Sequence, residues 1–240
     1  MARGYPDYQN PVNQVAGRLV DFSGIQSAIL GLATLDGLGR LVWFDRFHDG
    51  VSAWETLYTL GASLPVISSE IAEIPPTCLR LRTDGAVINS ESFVRRSCMF
   101  VSPSTVGLEL SVLYNQGNDL ILVYIFTVLS GNQANMGVLY RPSTGLIQLL
   151  HAGGATTFAT LPAGVMARLW IPIKLVVDNV GGVGRRLTIG TQVWDLDGYV
   201  QNSGAMAECD QIYITISSVS QGAGSLDQYI GHVYLTLDEP

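Results

Sequence analysis

A single lysine, Lys174, among 240 residues and a formal net charge of −7 leave this chain without the basic surface that neutralising nucleic-acid phosphates requires. No nucleic acid is expected as a direct partner. The only basic pairs, Arg95-Arg96 and Arg185-Arg186, read as solvated strand ends or turns. Charge is scarce altogether, at 14% against 48% apolar residues, where globular chains carry about 25% charged residues. That balance argues against disorder and points to apolar surface buried between subunits. Cysteine is sparse as well. Cys78, Cys98 and Cys209 form an odd set with no CxxC spacing, which indicates neither a disulfide framework nor a zinc knuckle, and buried free thiols are expected. The opening "MARGYPDYQNPVNQ" has no apolar h-region, so no secretory signal is read and synthesis in the cytoplasm is expected. The longest apolar run, "LILVYIFTVL" at 120–129, is half of the ~20 residues that a membrane helix needs. No membrane span is expected. Helical periodicity is nearly absent; only "VSAWETLYTLG", after Gly50, and a turn over 69–74 offer short-helix candidates.

What the chain does hold is β signal. Runs rich in Val, Ile, Leu, Tyr and Thr are separated by Gly, Pro, Asn and Ser clusters. They predict strands at 77–83, 97–101, 107–114, 120–129, 136–140, 145–151, 167–178, 186–189, 191–195, 211–218 and 228–237. In "QIYITIS" Ile212, Ile214 and Ile216 alternate with Tyr213, Thr215 and Ser217, the period of a half-buried antiparallel strand. The same alternation in "YIGHVYLTL" groups Ile230, His232, Tyr234 and Thr236 on one face and places His232 on the wetter side. Many short strands without βαβ alternation predict an all-β fold, a two-sheet antiparallel jelly-roll sandwich closed by Greek-key connections. A chain of this length suits one such domain. Residues 1–17 carry prolines, asparagines and glutamines without periodicity and read as an extended N-terminal arm. The sandwich is expected over 18–240, with 18–40 forming a preceding hairpin across Asp36-Gly37-Leu38-Gly39. Tyr5 and Tyr8 would give the arm something to bury on a neighbour.

Four stretches carry a resemblance: "LVWFDRFHDGVSAW", "GLELSVLY", "LWIPIKLVVDNVGGVGRRLTIGTQVWDL" and "IYITISSVSQGAGSLDQYIGHVYL". Together they resemble the concanavalin A-like lectin/glucanase superfamily in its laminin G-like jelly-roll form. The resemblance implies that the strand with Phe44-Asp45-Arg46-Phe47 pairs with the closing strand at 229–237. It also implies that the strand from Trp170 to Asp178 leads through a turn at Gly181-Gly182 into two short strands. The chain departs from the family in two places. Gly231 and His232 stand where the closing strand often carries an acid, and the glucanase run E-x-D-x-x-E does not occur. Residues 1–40 in addition resemble the leader arms of structural proteins of tailed bacteriophages.

For each group of chemistry-bearing residues a plain structural role stands beside the chemical one. Asp45, His48 and Asp49 could share a metal only if the strand bent at Asp49-Gly50, because Asp45 and Asp49 lie on one strand face and His48 on the other. A strand end and a turn explain them better. His151 and His232 stand on separate strands with no HxH or HExxH spacing. "WDLDG" and "LDQY" lack the D-x-D-x-D-G rhythm of a calcium loop. No G-x-S-x-G elbow occurs, nothing in the linear sequence pairs a nucleophile with a histidine, and "NVGGVG" lacks the lysine of a phosphate loop. Glu109, Asp178 and Glu208 are the strand-associated carboxylates available to a glycosidase mechanism. Trp54, Tyr58, Trp194 and Tyr199 are the aromatic candidates for a glycan platform, each weighed against core packing.

These readings lead to one expectation: a protein that is not an enzyme and needs no cofactor or metal, a structural component of a phage-like virion (capsid, decoration or tail). It would assemble with copies of itself and with other assembly proteins through sheet surfaces and the arm. The alternative is a carbohydrate-binding or receptor-binding lectin-like module.

Overall fold

The computed structural model describes residues 40–71, 77–84, 86–99, 105–114, 120–161, 169–207, 210–222 and 226–239. The expected arm with Tyr5 and Tyr8, the hairpin at 18–40 except Arg40, Cys209 and Glu208 lie outside the described residues. In chain order the first strands are β1 (Arg40–Asp45), β2 (Glu55–Tyr58), β3 (Ala62–Ser68), β4 (Cys78–Thr83), β5 (Glu91–Met99), β6 (Thr105–Tyr114), β7 (Leu120–Leu129) and β8 (Asn132–Arg141). They are followed by β9 (Leu146–His151), β10 (Gly154–Thr160), β11 (Trp170–Asp178), β12 (Val183–Ile189), β13 (Gln192–Asp195), β14 (Asn202–Ala205), β15 (Gln211–Val219) and β16 (Leu226–Leu237). No helix occurs among the described residues; the stretch read as a short helix after Gly50 forms β2 and its flanking turns instead. Thr56, Leu57 and Tyr58 are β-formers whose pairing with β5 outweighs a weak helical pattern.

Two antiparallel sheets make the sandwich. Sheet A has the order β13-β12-β11-β6-β16-β4-β3, with β1 also on β16; sheet B has the order β10-β9-β8-β7-β15-β5-β2, with β14 also on β8. The opening strand therefore does pair with the closing one, Phe44 opposite Tyr234 and Asp45 opposite Val233. β11 likewise runs through a turn, with Gly182 at positive φ, into β12 and β13. The two faces that meet are aliphatic. Val106, Leu108, Leu110 and Val112 of β6 and Ile171, Ile173, Leu175 and Val177 of β11 oppose Ile121, Val123 and Ile125 of β7 and Ile212, Ile214 and Ile216 of β15 within one buried cluster. Each such side chain contributes about 1.5–3 kcal/mol by leaving water.

β16 does not keep simple alternation. Ile230 pairs with Val112 but Val233 pairs with Leu110, so Gly231 and His232 together oppose Ser111. This β-bulge inserts one residue and switches faces. Ile230 joins Val233, Leu235 and Leu237 in the core, while His232, Tyr234 and Thr236 turn to the outer side of sheet A. His232 is fully buried, not on a wet face. The period-2 reading failed there because the bulge is invisible in a single strand's sequence.

Candidate functional site

The acid-rich stretch after β1 is a structural turn. Asp45 accepts the backbone N–H of Phe47 at 2.6 Å through Oδ1 and the indole N–H of Trp54 at 2.9 Å through Oδ2. Phe47 sits at φ 60°, an uncommon region for a bulky residue, held there by that bond and by complete burial of its ring. Gly50 closes the turn at φ 89°. His48 and Asp49 point to solvent. Among the described residues there is no group of three or more metal-ligating side chains.

Arg96 lies mid-strand in β5, 4.0 Å above the Trp43 ring and 3.9 Å from Asp45, so it is not the solvated strand end that the basic pair suggested. Arg185 and Arg186 on β12 are engaged too. Arg185 reaches Asp178 at 2.5 Å and Asp197 at 3.4 Å, and Arg186 reaches Glu239 at 3.2 Å. Glu109 and Asp178 do not form a catalytic pair. Glu109 stands opposite Lys174 and Asp178 opposite Thr105, four residues apart along β6, or about 13 Å at strand rise, beyond the 5–9.5 Å or so of glycosidase carboxylates. Both also face bases: Lys174 lies 3.8 Å from Glu109, and Arg185 lies 2.5 Å from Asp178.

The fold does unite one nucleophile with a histidine, which the linear sequence could not show. Ser111 Oγ lies 3.1 Å from His232 Nδ1, placed there by the bulge in β16. Both side chains are sealed from solvent at 1% and 0% exposure, so a substrate could not reach them without the outer face of sheet A opening.

The four aromatic candidates separate. Trp54 is 6% exposed and packs edge-on to Trp43 and tilted to Phe47, which leaves no ring face for a sugar. Tyr58 is exposed at the end of β2. Trp194 and Tyr199 share one cluster, both meeting Phe158 of β10 edge-on at 6.1 and 5.4 Å, and Tyr199 also meets His151 at 5.3 Å. Trp54 braces the sandwich, whereas Trp194 and Tyr199 are half-buried and Trp194 also lines a pocket of about 300 Å³ with Arg185, Arg186, Val193, Asp195 and Asp197.

A groove of about 360 Å³ lies instead on the outer face of sheet B. Because Ile121, Val123 and Ile125 face the core, alternation turns Leu122, Tyr124 and Phe126 outward to form its floor. β15 contributes Tyr213 and Thr215, β5 contributes Arg95, and Met206 after β14 forms a wall. Register aligns them in rows across the sheet: Arg95, Thr215, Tyr124 and Gly137 in one, and Ser97, Tyr213, Phe126 and Asn135 in the next.

Two features fix the rings. A Cβ on Gly137 would meet the Tyr124 ring, with Cε2 at 2.8 Å, so the ring occupies the space that the glycine leaves open. The Tyr124 hydroxyl donates to Asn135 Oδ1 at 2.6 Å, and burial pushes its phenol above the ordinary value. Tyr213, 5.7 Å from Phe126 in an edge contact, accepts from Gln211 Nε2, and Gln211 in turn accepts from Ser97 at 2.7 Å. The site is therefore a rigid aromatic floor whose hydroxyls are already oriented by amides. The sequence reading did not single out these residues. Leu122, Tyr124 and Phe126 are hidden in a run that is apolar on both faces, and the only signal was an aromatic spacing of two on β7 matched by Tyr213 and Thr215 on β15.

No protein-family model matches the sequence, and no curated protein matches it. Solved structures similar to this chain share its architecture. A carbohydrate esterase from the Shiga toxin-encoding bacteriophage phi24B superposes with a TM-score of 0.54 and 10% identity over 84% of this chain and 100% of that one. A protein with a galectin-like fold from Bacillus subtilis gives 0.52 and 13% over 83% and 97%. Lectin I-B4 from Griffonia simplicifolia gives 0.51 and 11% over 81% and 99%. The likeness is one of fold, and the sandwich has the concanavalin A-like jelly-roll architecture that the four sequence stretches resemble.

Proposed function

We propose that this chain is a non-catalytic, carbohydrate-binding β-sandwich whose binding face is the groove on sheet B. The observation that carries this reading is the Tyr124 ring laid across Gly137 and tied to Asn135. A preordered aromatic surface in a groove can take the C–H face of a sugar ring at little entropic cost. Among the described residues lining the groove none carries a carboxylate, which favours binding over hydrolysis. The similarity in fold to a plant lectin and a galectin-like protein agrees with this use of the architecture, although fold alone does not assign a function. Screening the full chain against a glycan array tests the reading. Selective binding that Tyr124→Ala abolishes while the fold persists supports it. Binding to no glycan, or binding indifferent to both Tyr124→Ala and Tyr213→Ala, overturns it.

A second reading, assembly into a phage-like virion, draws on a different observation. Val42 and Phe44 on β1 and Leu64 and Val66 on β3 are exposed apolar side chains along one border of sheet A, the kind of surface that association covers. In that setting the chain would be a particle component, hooked to its neighbours through residues 1–17, and the two roles are compatible. Light scattering decides it: a monodisperse monomer at high concentration sinks the assembly reading and leaves the glycan reading intact.

A further inference from the structure

We infer that the sheet B groove selects sugars bearing a carboxylate, such as uronic or sialic acids, and that Arg95 is the specificity-determining residue. This rests on the glycan-binding reading above. The inference comes from which hydrogen-bonding groups remain for a ligand. The Tyr124 hydroxyl is committed to Asn135, and the Tyr213 hydroxyl is already engaged by the Gln211 amide. Leu122, Phe126 and Met206 offer no hydrogen bond of note. Among the described lining residues, the polar groups outside these hydrogen bonds are the Arg95 guanidinium and the Thr215 hydroxyl, side by side in one cross-strand row with Tyr124.

Arg95 has donors to spare. Its ion pair is with Glu55 at 3.7 Å, on the edge strand β2, with the two side chains 43% and 56% exposed. Such a pair holds a guanidinium weakly, and five N–H groups remain for two oxygens in the fork geometry that a planar carboxylate fits. Neutral sugars present hydroxyls that need acceptors as much as donors. The described lining supplies a guanidinium, which cannot accept, and hydroxyl oxygens, of which those of Tyr124 and Tyr213 already take part in one hydrogen bond each. A ligand group that only accepts is therefore the best match: the carboxylate meets Arg95 and Thr215 while the ring's C–H face rests on Tyr124. The chain's net charge of −7 opposes long-range attraction of anions, so the preference is set by contact within the groove.

Calorimetry on the full chain with four probes tests this: a glucuronic acid-containing oligosaccharide, its carboxyl-reduced neutral counterpart, a sialyl-oligosaccharide and a sulfated galactoside. At least one carboxylate-bearing probe should bind ten times or more tighter than the neutral and sulfated ones. Arg95→Gln should remove the preference while leaving weak binding to the floor, and Arg95→Lys should restore only part of it because lysine lacks the fork. Equal or tighter binding of the neutral probe overturns the inference but leaves the glycan reading standing, as does a preference for sulfate or an undiminished preference in Arg95→Gln. If no probe binds and the array is also blank, both fail together.

Discussion

Trp54 donates its indole N–H to Asp45 at 2.9 Å, joining the residue that ends β1 to one nine positions later. That bond, with the Phe47 N–H on the other carboxylate oxygen and Arg96 at 3.9 Å, makes Asp45 the pin of the turn that leads from β1 of sheet A towards β2 of sheet B. Hydrogen bonds to a charged acceptor contribute about 1.5–3 kcal/mol each and are not additive. Asp45→Ala should lower unfolding stability by about 2–4 kcal/mol, read from guanidinium denaturation. Asp45→Asn, which retains one acceptor, should cost less. An Asp45→Ala midpoint within error of the parent would show that the turn is held by burial of Phe47 and Trp54 alone.

Gly137 is the second test of the groove. Adding one methyl there drives a Cβ into the Tyr124 ring, so Gly137→Ala should swing the ring off the sheet and loosen its bond to Asn135. Overpacking of this kind costs about 1–3 kcal/mol. A folded Gly137→Ala protein should bind glycan at least tenfold more weakly than the parent. Unchanged affinity would mean that the placement of Tyr124 does not govern binding.

Acid should reveal the Asp178 turn. Burial works to raise the Asp178 carboxyl, but the Gly181 N–H, the Arg185 guanidinium and the Val180 N–H outweigh it and hold the group below its ordinary 3.8. The unfolded chain therefore takes up the proton at higher pH than the native one. Stability from this group is full above about pH 4 and is lost as pH falls through the depressed native value. Asp178→Asn lacks that component, so its stability should fall less steeply below pH 4 and the parent's advantage over it should shrink. Parallel stability–pH curves for the two proteins would contradict this.

Thiol chemistry offers a fourth readout. Burial, reinforced by Glu70 and only partly offset by Arg80, pushes Cys78 to about 11, and burial also raises Cys98. At pH 8 Cys78 is thiolate in about one molecule in a thousand. Mass spectrometry after brief iodoacetamide treatment should find Cys78 unmodified in the native protein and modified once the chain is unfolded. Native-state labelling at the unfolded rate would mean that this corner of sheet A opens freely.

The fold was legible wherever one strand's own pattern decided its place. Ile212, Ile214 and Ile216 face the core as their alternation required, whereas the pairing of β1 with β16 was expected only through the family resemblance. Strands without such a pattern were missed. The "GATTFAT" of β10 and the "NSGA" of β14 are edge pieces with little apolar content, held by β9 and β8 rather than by their own propensity. The candidate site was mostly illegible for a related reason. Tyr124, Thr215 and Arg95 are neighbours only through the order β7-β15-β5, which a linear sequence does not contain. Trp54 and Trp194 drew attention because tryptophan stands out; Trp54 packs inside, while Trp194 stays half-buried at the surface.

The irregularity at Gly231 and His232 gives β16 an unusual status. A twelve-residue strand serves β4 with one half and β1 with the other, and the extra residue shifts the phase between them. β16 is in effect two short strands spliced end to end, each indexed separately to the interior. Removing Gly231 at the splice would erase the bulge, leaving His232 alone opposite Ser111 and Ile230, Val233, Leu235 and Leu237 still facing the interior in plain alternation. The extra residue thus sets how the two halves meet, not which side chains they bury.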